Sequence, residues 1–227
     1  MRSALTLYVP DSTTIRAIEC SPPSWMIQLA LEEKELDFEI VRLSLTAGEH
    51  RSPEMLARNP RGKLPVLTDG PLAVYETFAI LDFLEHTYPE PALLPANKAL
   101  RGLALTRLHE SGHLKAAGME LFSYIMSTRG LDLDPAEIDR RAAAFHDELF
   151  YWEYYYGLGK YAAGSQVTYA DLSVFTYLAT AVHLGLPLDE RYPNLARFYE
   201  RMKKRIAVVT TWPPWKPTPY RYLSETV

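Results

Sequence analysis

Along the first ninety residues the apolar positions switch between a two-residue and a roughly 3.6-residue period. Residues 4–9 (ALTLYV) and 38–43 (FEIVRL) read as strands. Residues 25–36 (WMIQLALEEKEL) read as a helix that follows Ser21-Pro22-Pro23-Ser24, a serine cap with proline at the first helical position. A second serine-proline start at Ser52-Pro53 predicts a short helix. Two apolar runs, Leu64 to Thr68 and Leu72 to Tyr75, flank Asp69-Gly70, the signal of a tight antiparallel hairpin. A helix from Thr77 to Thr87 closes the series. The order β-α-β-α-β-β-α predicts one mixed sheet with helices on both faces, an α/β unit.

Beyond residue 99 the strand signals stop. Helix-period segments are expected at 99–129, 135–159, 168–185 and 191–206, forming an all-α unit. The proline-punctuated stretch between the two grammars suggests domains at 1–88 and 99–227 joined by a linker at 89–98. Thr168 and Asp171 have the spacing of a capping box, and the helix behind them is apolar almost all round, as a central buried helix is. Its apolar run, Leu172 to Leu188, is short and punctuated for a bilayer span. Residues 212–219, with four prolines, are expected to be extended.

Charge and cysteine content narrow the function classes. The 227 residues carry 24 Lys+Arg against 28 Asp+Glu, a net charge of −4, which argues against a nucleic-acid-binding protein. One cysteine excludes an intrachain disulfide framework and suits a reducing compartment, here the cytoplasm. The N-terminal apolar run stops at Pro10-Asp11 without a cleavage pattern, so neither a signal peptide nor a membrane partner is expected. His109 and His113 stand at i, i+4, but no acid or cysteine completes a set, so no metal site is expected.

The segment from Gly48 to Gly70, with Asn59-Pro60-Arg61-Gly62-Lys63-Leu64-Pro65 inside it, resembles the glutathione-binding region of cytosolic glutathione transferases. Glu76-Thr77 follows at the distance where that family has an acid or amide before a hydroxyl residue. Ser21-Pro22-Pro23-Ser24-Trp25 is similar to serine-type members (phi, tau, zeta or bacterial), and Gly164 to Asp171 resembles the family's helix start in the second domain. The resemblance implies a thioredoxin-like first domain, an all-helical second domain and a homodimer. No cofactor is implied, with glutathione as co-substrate.

It also implies roles. Leu64, before a cis Pro65, would pair its backbone with the cysteinyl part of glutathione as an added strand. Thr77, at a helix start, would take the γ-glutamyl carboxylate, and Glu76 the α-amino group. Lys63, His50 and Arg51 would meet the glycine carboxylate. Ser21 would be catalytic, its hydroxyl aimed at the thiol, whose ordinary pKa is about 8.5. The thiolate would attack a small, apolar or aromatic electrophile, or reduce a peroxide. The segment from Pro10 to Cys20 is longer than the family usually has, which leaves Tyr8, Ser12, Cys20 and Ser24 as rival donors. The zeta signature has a cysteine where Pro23 stands, so maleylacetoacetate isomerisation is not the first choice. The alternative function is a glutathione-transferase-like binding or scaffold protein with little catalytic activity.

Overall fold

The computed structural model describes residues 5–11, 20–127 and 133–215, the side chain of Met126 aside. Ser12, most of the long 10–20 segment and residues 216–219 of the expected extended tail lie outside the described residues. The chain divides into two compact units, one reaching to Leu93 and one beginning at Leu94.

In the first unit, β1 (Leu5–Pro10), β2 (Phe38–Leu43), β3 (Val66–Asp69) and β4 (Leu72–Tyr75) form a sheet in the order β2-β1-β3-β4. β1 runs parallel to β2 and antiparallel to β3, and β3 antiparallel to β4. Alternation in β1 buries Leu5, Leu7 and Val9 while Thr6 and Tyr8 stay half-buried. The hairpin register pairs Asp69 with Leu72, so the loop residues are Gly70 and Pro71 rather than Asp69 and Gly70. Gly70 sits at φ +57, a conformation glycine takes without a side-chain clash, and the fixed φ of proline suits the second loop position.

Helix α1 (Pro22–Glu33) begins and ends three residues before the expected 25–36, because Ser21 is its cap and the two prolines are its first residues. It packs on β1 and against α3 (Thr77–Thr87), which also leans on β4. Helix α2 (Pro53–Arg58) is capped by Ser52, whose Oγ accepts from the Met55 N–H at 3.3 Å. Lys34, just beyond α1, is buried. Its Nζ meets Glu85 Oε2 at 2.8 Å and donates to the carbonyls of Tyr88 at 2.7 Å and Pro91 at 3.1 Å. Glu85 in turn accepts from the Leu93 N–H at 3.3 Å.

The second unit is helical: α4 (Lys98–Ser127), α5 (Pro135–Leu158), α6 (Tyr169–His183), α7 (Pro193–Met202) and α8 (Ile206–Thr211). The expected helix at 191–206 is thus shorter, and α8 lies, but for Ile206, beyond its expected end. α7 stops at Met202, and Arg205 in an extended conformation (φ −74, ψ 140) caps the start of α8. α6 is buried nearly throughout and packs on α4 and α7. Asp171 closes its capping box and accepts from the Thr168 N–H, the Thr168 hydroxyl, the Ala162 N–H and the Tyr156 hydroxyl, at 2.8, 2.8, 2.8 and 3.2 Å. Burial pushes its carboxyl up to about 6, against the pull of those four bonds. Among the described residues no helix is long and apolar enough to cross a membrane, and no cluster of His, Cys, Asp or Glu could hold a metal ion.

Candidate functional site

The sheet register gathers the candidate residues at one end. Tyr8 pairs with Val66 and Val66 with Tyr75, so the C-terminal end of β1, the N-terminal end of β3 and the C-terminal end of β4 lie side by side. Pro10 pairs with Leu43, and the Asp11 N–H reaches the Leu43 carbonyl at 2.9 Å, which adds the exit of β2 to the same edge. From that edge emerge Leu64-Pro65 before β3, Glu76-Thr77 after β4, and the segment carrying His50 and Arg51 after β2. The chain that leads from β1 to Ser21 leaves there too. In sheets of this kind the loops at the carboxyl ends of the parallel strands are where ligands bind.

Ser21 holds the cap position of α1, yet its side chain makes no capping bond. Pro22 and Pro23 have no N–H to offer it, and the Trp25 N–H goes to the Ser21 carbonyl at 2.8 Å. The Ser24 hydroxyl donates to Ser21 Oγ at 3.2 Å. Among the described residues Ser21 is thus an acceptor only, and its own hydroxyl hydrogen is left to donate to a ligand. The contrast with Ser52, which does cap, is a contrast in side-chain use.

The rival donors occupy different settings. Cys20 is buried, and desolvation drives its thiol far above the ordinary range, so it stays protonated. Tyr8 is half-buried beneath the Arg58 guanidinium, which lies 5.2 Å from its ring centre. Ser24 is buried and already donates to Ser21.

The loop before Pro65 is organised by Asn59, a residue the sequence reading quoted without giving it a part. Asn59 is buried. Its Nδ2 donates to the Lys63 carbonyl at 2.7 Å, and its Oδ1 accepts from the Arg61 N–H at 3.0 Å. Its backbone carbonyl takes the Gly62 N–H at 2.9 Å. The Asn-Pro pair at 59–60 is a turn-initiating signal that pointed to this arrangement. The loop leaves Lys63 exposed and Leu64 half-buried, and the Leu64-Pro65 bond is cis, as expected.

Two contacts tie neighbouring segments to that loop. Gly62 lies so close to Arg51 that a Cβ built there would stand 3.1 Å from Arg51 Cγ. Arg61 Nε approaches Glu76 Oε1 to 3.9 Å, both side chains being exposed. Glu76 has φ +66 and ψ 120, a left-handed setting that non-glycine residues seldom adopt and that clusters at ligand clamps. Thr77 begins α3 and is buried, and the side chain of Glu76, at the cap position, makes no capping bond. His50 lies in a single 3-10 turn, Glu49–Arg51, and its Nδ1 is buried with no partner among the described residues.

Residues 20–87 match the model of the glutathione S-transferase N-terminal domain, and residues 139–210 that of the C-terminal domain. Glutathione S-transferase A of Pleuronectes platessa is 31% identical over 205 residues, covering 88% of this chain and 91% of its own. The chain belongs to the glutathione transferase family. Glutathione S-transferase Z2 of Arabidopsis thaliana is 30% identical over 201 residues, 84% of this chain and 86% of its own. A crystal structure of a glutathione S-transferase from the Antarctic clam Laternula elliptica superposes with a TM-score of 0.83 at 31% identity, covering 98% of this chain and 99% of that one. The mixed four-stranded sheet and the helical second unit are thus the glutathione transferase fold.

Proposed function

We propose that this glutathione transferase binds glutathione along the shared end of its sheet and ionises the thiol with the Ser21 hydroxyl. Leu64, standing beyond the first paired residue of β3, offers its backbone to the cysteinyl part as an added strand. Thr77, at the start of α3, takes the γ-glutamyl carboxylate, where the helix dipole favours an anion. Glu76 takes the α-amino group. Lys63, His50 and Arg51 face the glycine carboxylate.

The observation that carries the reading is the hydroxyl hydrogen of Ser21, which has no acceptor among the described residues. A hydroxyl donor at the start of α1 stabilises a thiolate over a thiol, and the Ser24 bond holds the Ser21 oxygen in place. The proton leaves to solvent. The sulfur then forms a bond to the electrophilic carbon as the leaving group departs with its electron pair, or as an acceptor takes a proton. A hydroperoxide is a second class of acceptor. The thiolate attacks its outer oxygen, and a second glutathione completes the disulfide with release of alcohol and water.

The electrophile is small and apolar or aromatic, in keeping with the aromatic-rich helical unit, and the working form is a homodimer in a reducing cytoplasm. Relatives named as transferases over nearly the whole chain give the binding-or-scaffold alternative no support. Thiolate absorbance during titration of glutathione into wild type and Ser21→Ala tests the proposal. Saturable thiolate formation in wild type and its loss in the variant are expected. Absence of saturable binding at millimolar glutathione overturns the glutathione site, and equal thiolate yield in both proteins overturns Ser21. Light scattering is expected to give twice the chain mass of 25.9 kDa.

A further inference from the structure

The last part of the helical unit carries a charge pattern opposite to the chain as a whole. Between Arg197 and Arg205 there are five cations (Arg197, Arg201, Lys203, Lys204, Arg205) and one acid, Glu200, in a protein of net charge −4. Lys160 joins them, because its Nζ and the Arg201 guanidinium each lie 5.5 Å from the Tyr161 ring centre. The acid accounts for little of this charge, since Glu200 Oε1 meets Lys203 Nζ alone, at 3.0 Å. Arg197 turns to the Asn194 amide oxygen, a contact that leaves its charge in place, while Arg205 donates to the Tyr161 hydroxyl at 3.3 Å.

Directly after these cations comes α8, and its outward face is aliphatic. Ile206 is 83% exposed and Val209 65%, while Ala207 and Val208 supply the buried side. Positions 206 and 209 lie three apart and so share a face. Trp212, 37% exposed, ends the same stretch. Among the described residues α8 packs through Ala207 and Val208 and leaves its isoleucine and second valine open.

We propose that Arg197 to Val209 is a docking surface for an anionic phospholipid bilayer, through which the protein attaches peripherally and reversibly. The occupant follows from the two halves of the pattern. Clustered Lys and Arg are drawn to the negative potential of anionic headgroups. Their aliphatic stems let the charged ends reach the phosphates while adjacent apolar side chains enter the headgroup–acyl boundary. Ile206 and Val209 are placed for that entry, and Trp212 is the residue type enriched at such boundaries. A nucleic acid would use the cations and leave the two aliphatic side chains in water. Residues 216–227, with two cations and one acid, do not complement the charge. Attachment of this kind needs no membrane-spanning helix.

Co-sedimentation of the full chain with vesicles tests the proposal, using phosphatidylcholine alone and phosphatidylcholine mixed with phosphatidylserine. Saturable binding is expected only with phosphatidylserine, weakening as salt is raised and accompanied by a blue shift of tryptophan emission. Arg197→Glu with Lys204→Glu weakens binding by more than about tenfold. Ile206→Ser with Val209→Ser weakens it severalfold and abolishes the blue shift. All four positions are at the surface, and an unchanged melting temperature in each double variant serves as the folding control.

Binding to neither vesicle overturns the proposal, as does binding that both double variants retain. Heparin binding as tight as vesicle binding and indifferent to Ile206→Ser with Val209→Ser identifies a general polyanion surface and overturns it too. So does a change in oligomeric mass on losing the two aliphatic side chains, which marks a contact between copies.

Discussion

The Ser24 hydroxyl donates to the Ser21 oxygen across 3.2 Å, one turn inside the helix that Ser21 begins. The bond fixes where the Ser21 oxygen sits without consuming its hydrogen. Ser21→Ala is expected to return the bound thiol toward its free pKa of about 8.5 and to lower kcat/KM on the order of a hundredfold. Ser24→Ala, which loses only the positioning bond, is expected to cost a few-fold. The pH profile of kcat/KM separates the two, its rising limb moving upward by more in Ser21→Ala.

Asn59→Ala is expected to act on binding rather than on chemistry. It removes the donor to the Lys63 carbonyl and the acceptor of the Arg61 N–H, each worth about 1 kcal/mol. The loop that presents Lys63 and Leu64 then loosens. KM for glutathione rises about fivefold or more, with kcat little changed. Steady-state kinetics with glutathione varied check this.

Asp171→Ala leaves four donors without their acceptor inside a buried network. A loss of about 3 kcal/mol or more is expected. Urea denaturation followed by far-ultraviolet circular dichroism measures it, and catalysis per folded molecule is expected to remain unchanged.

Acid lability is expected from His183. Burial lowers its pKa from 6.5 to about 4, while its ring stacks on Trp215 with centroids 4.5 Å apart. With the folded-state pKa lowered, the unfolded chain binds more protons between those values, so this group's contribution is present above 6.5 and is lost as pH falls toward 4. Asp171 works in the opposite sense, because its raised pKa favours the folded state as pH falls from about 6 to 3.8. Comparing wild type with His183→Gln isolates the histidine. The stability difference shifts against wild type by up to about 3 kcal/mol between pH 6.5 and 4, read from urea midpoints.

Lys34→Met is expected to destabilise the first unit by about 3–5 kcal/mol, because it leaves the Glu85 carboxylate buried without its cation. Lys34→Met with Glu85→Leu is expected to recover part of that loss but not all, since the carbonyls of Tyr88 and Pro91 and the Leu93 amide lose their partners in the double variant. A double-mutant cycle gives the coupling.

Much of this was legible because the sequence announces its boundaries in local chemistry. Serine before proline marked the starts of α1 and α2, and the two-residue period of Leu5 to Val9 marked a strand with one buried face. Thr168 and Asp171 marked the buried helix by their spacing. What escaped was set by geometry that no local pattern encodes. Ser21 is a cap in position but not in bonding, and that distinction lies in where its oxygen is turned: it accepts the Ser24 hydroxyl, whereas the Ser52 oxygen accepts the backbone N–H at the equivalent third position. Asn59 reads as an ordinary turn residue until its amide is seen to span the loop. The end of α7 was hidden because Lys203 to Ile206 fit a helical period, while the chain leaves the helix over three residues, 203–205, the last of them extended. The docking face was masked by averaging, since a net charge of −4 conceals five cations within nine residues.

The clasp at Lys34 bears on where the chain can be cut. Its ammonium holds the carbonyls of Tyr88 and Pro91, and Glu85 holds the Leu93 amide. A fragment ending at residue 88 would carry a buried lysine stripped of the Pro91 carbonyl and a glutamate stripped of the Leu93 amide. A fragment ending after Leu93 keeps both the Pro91 carbonyl and the Leu93 amide, so the first unit is better expressed to Leu93 than to residue 88 when it is studied by itself.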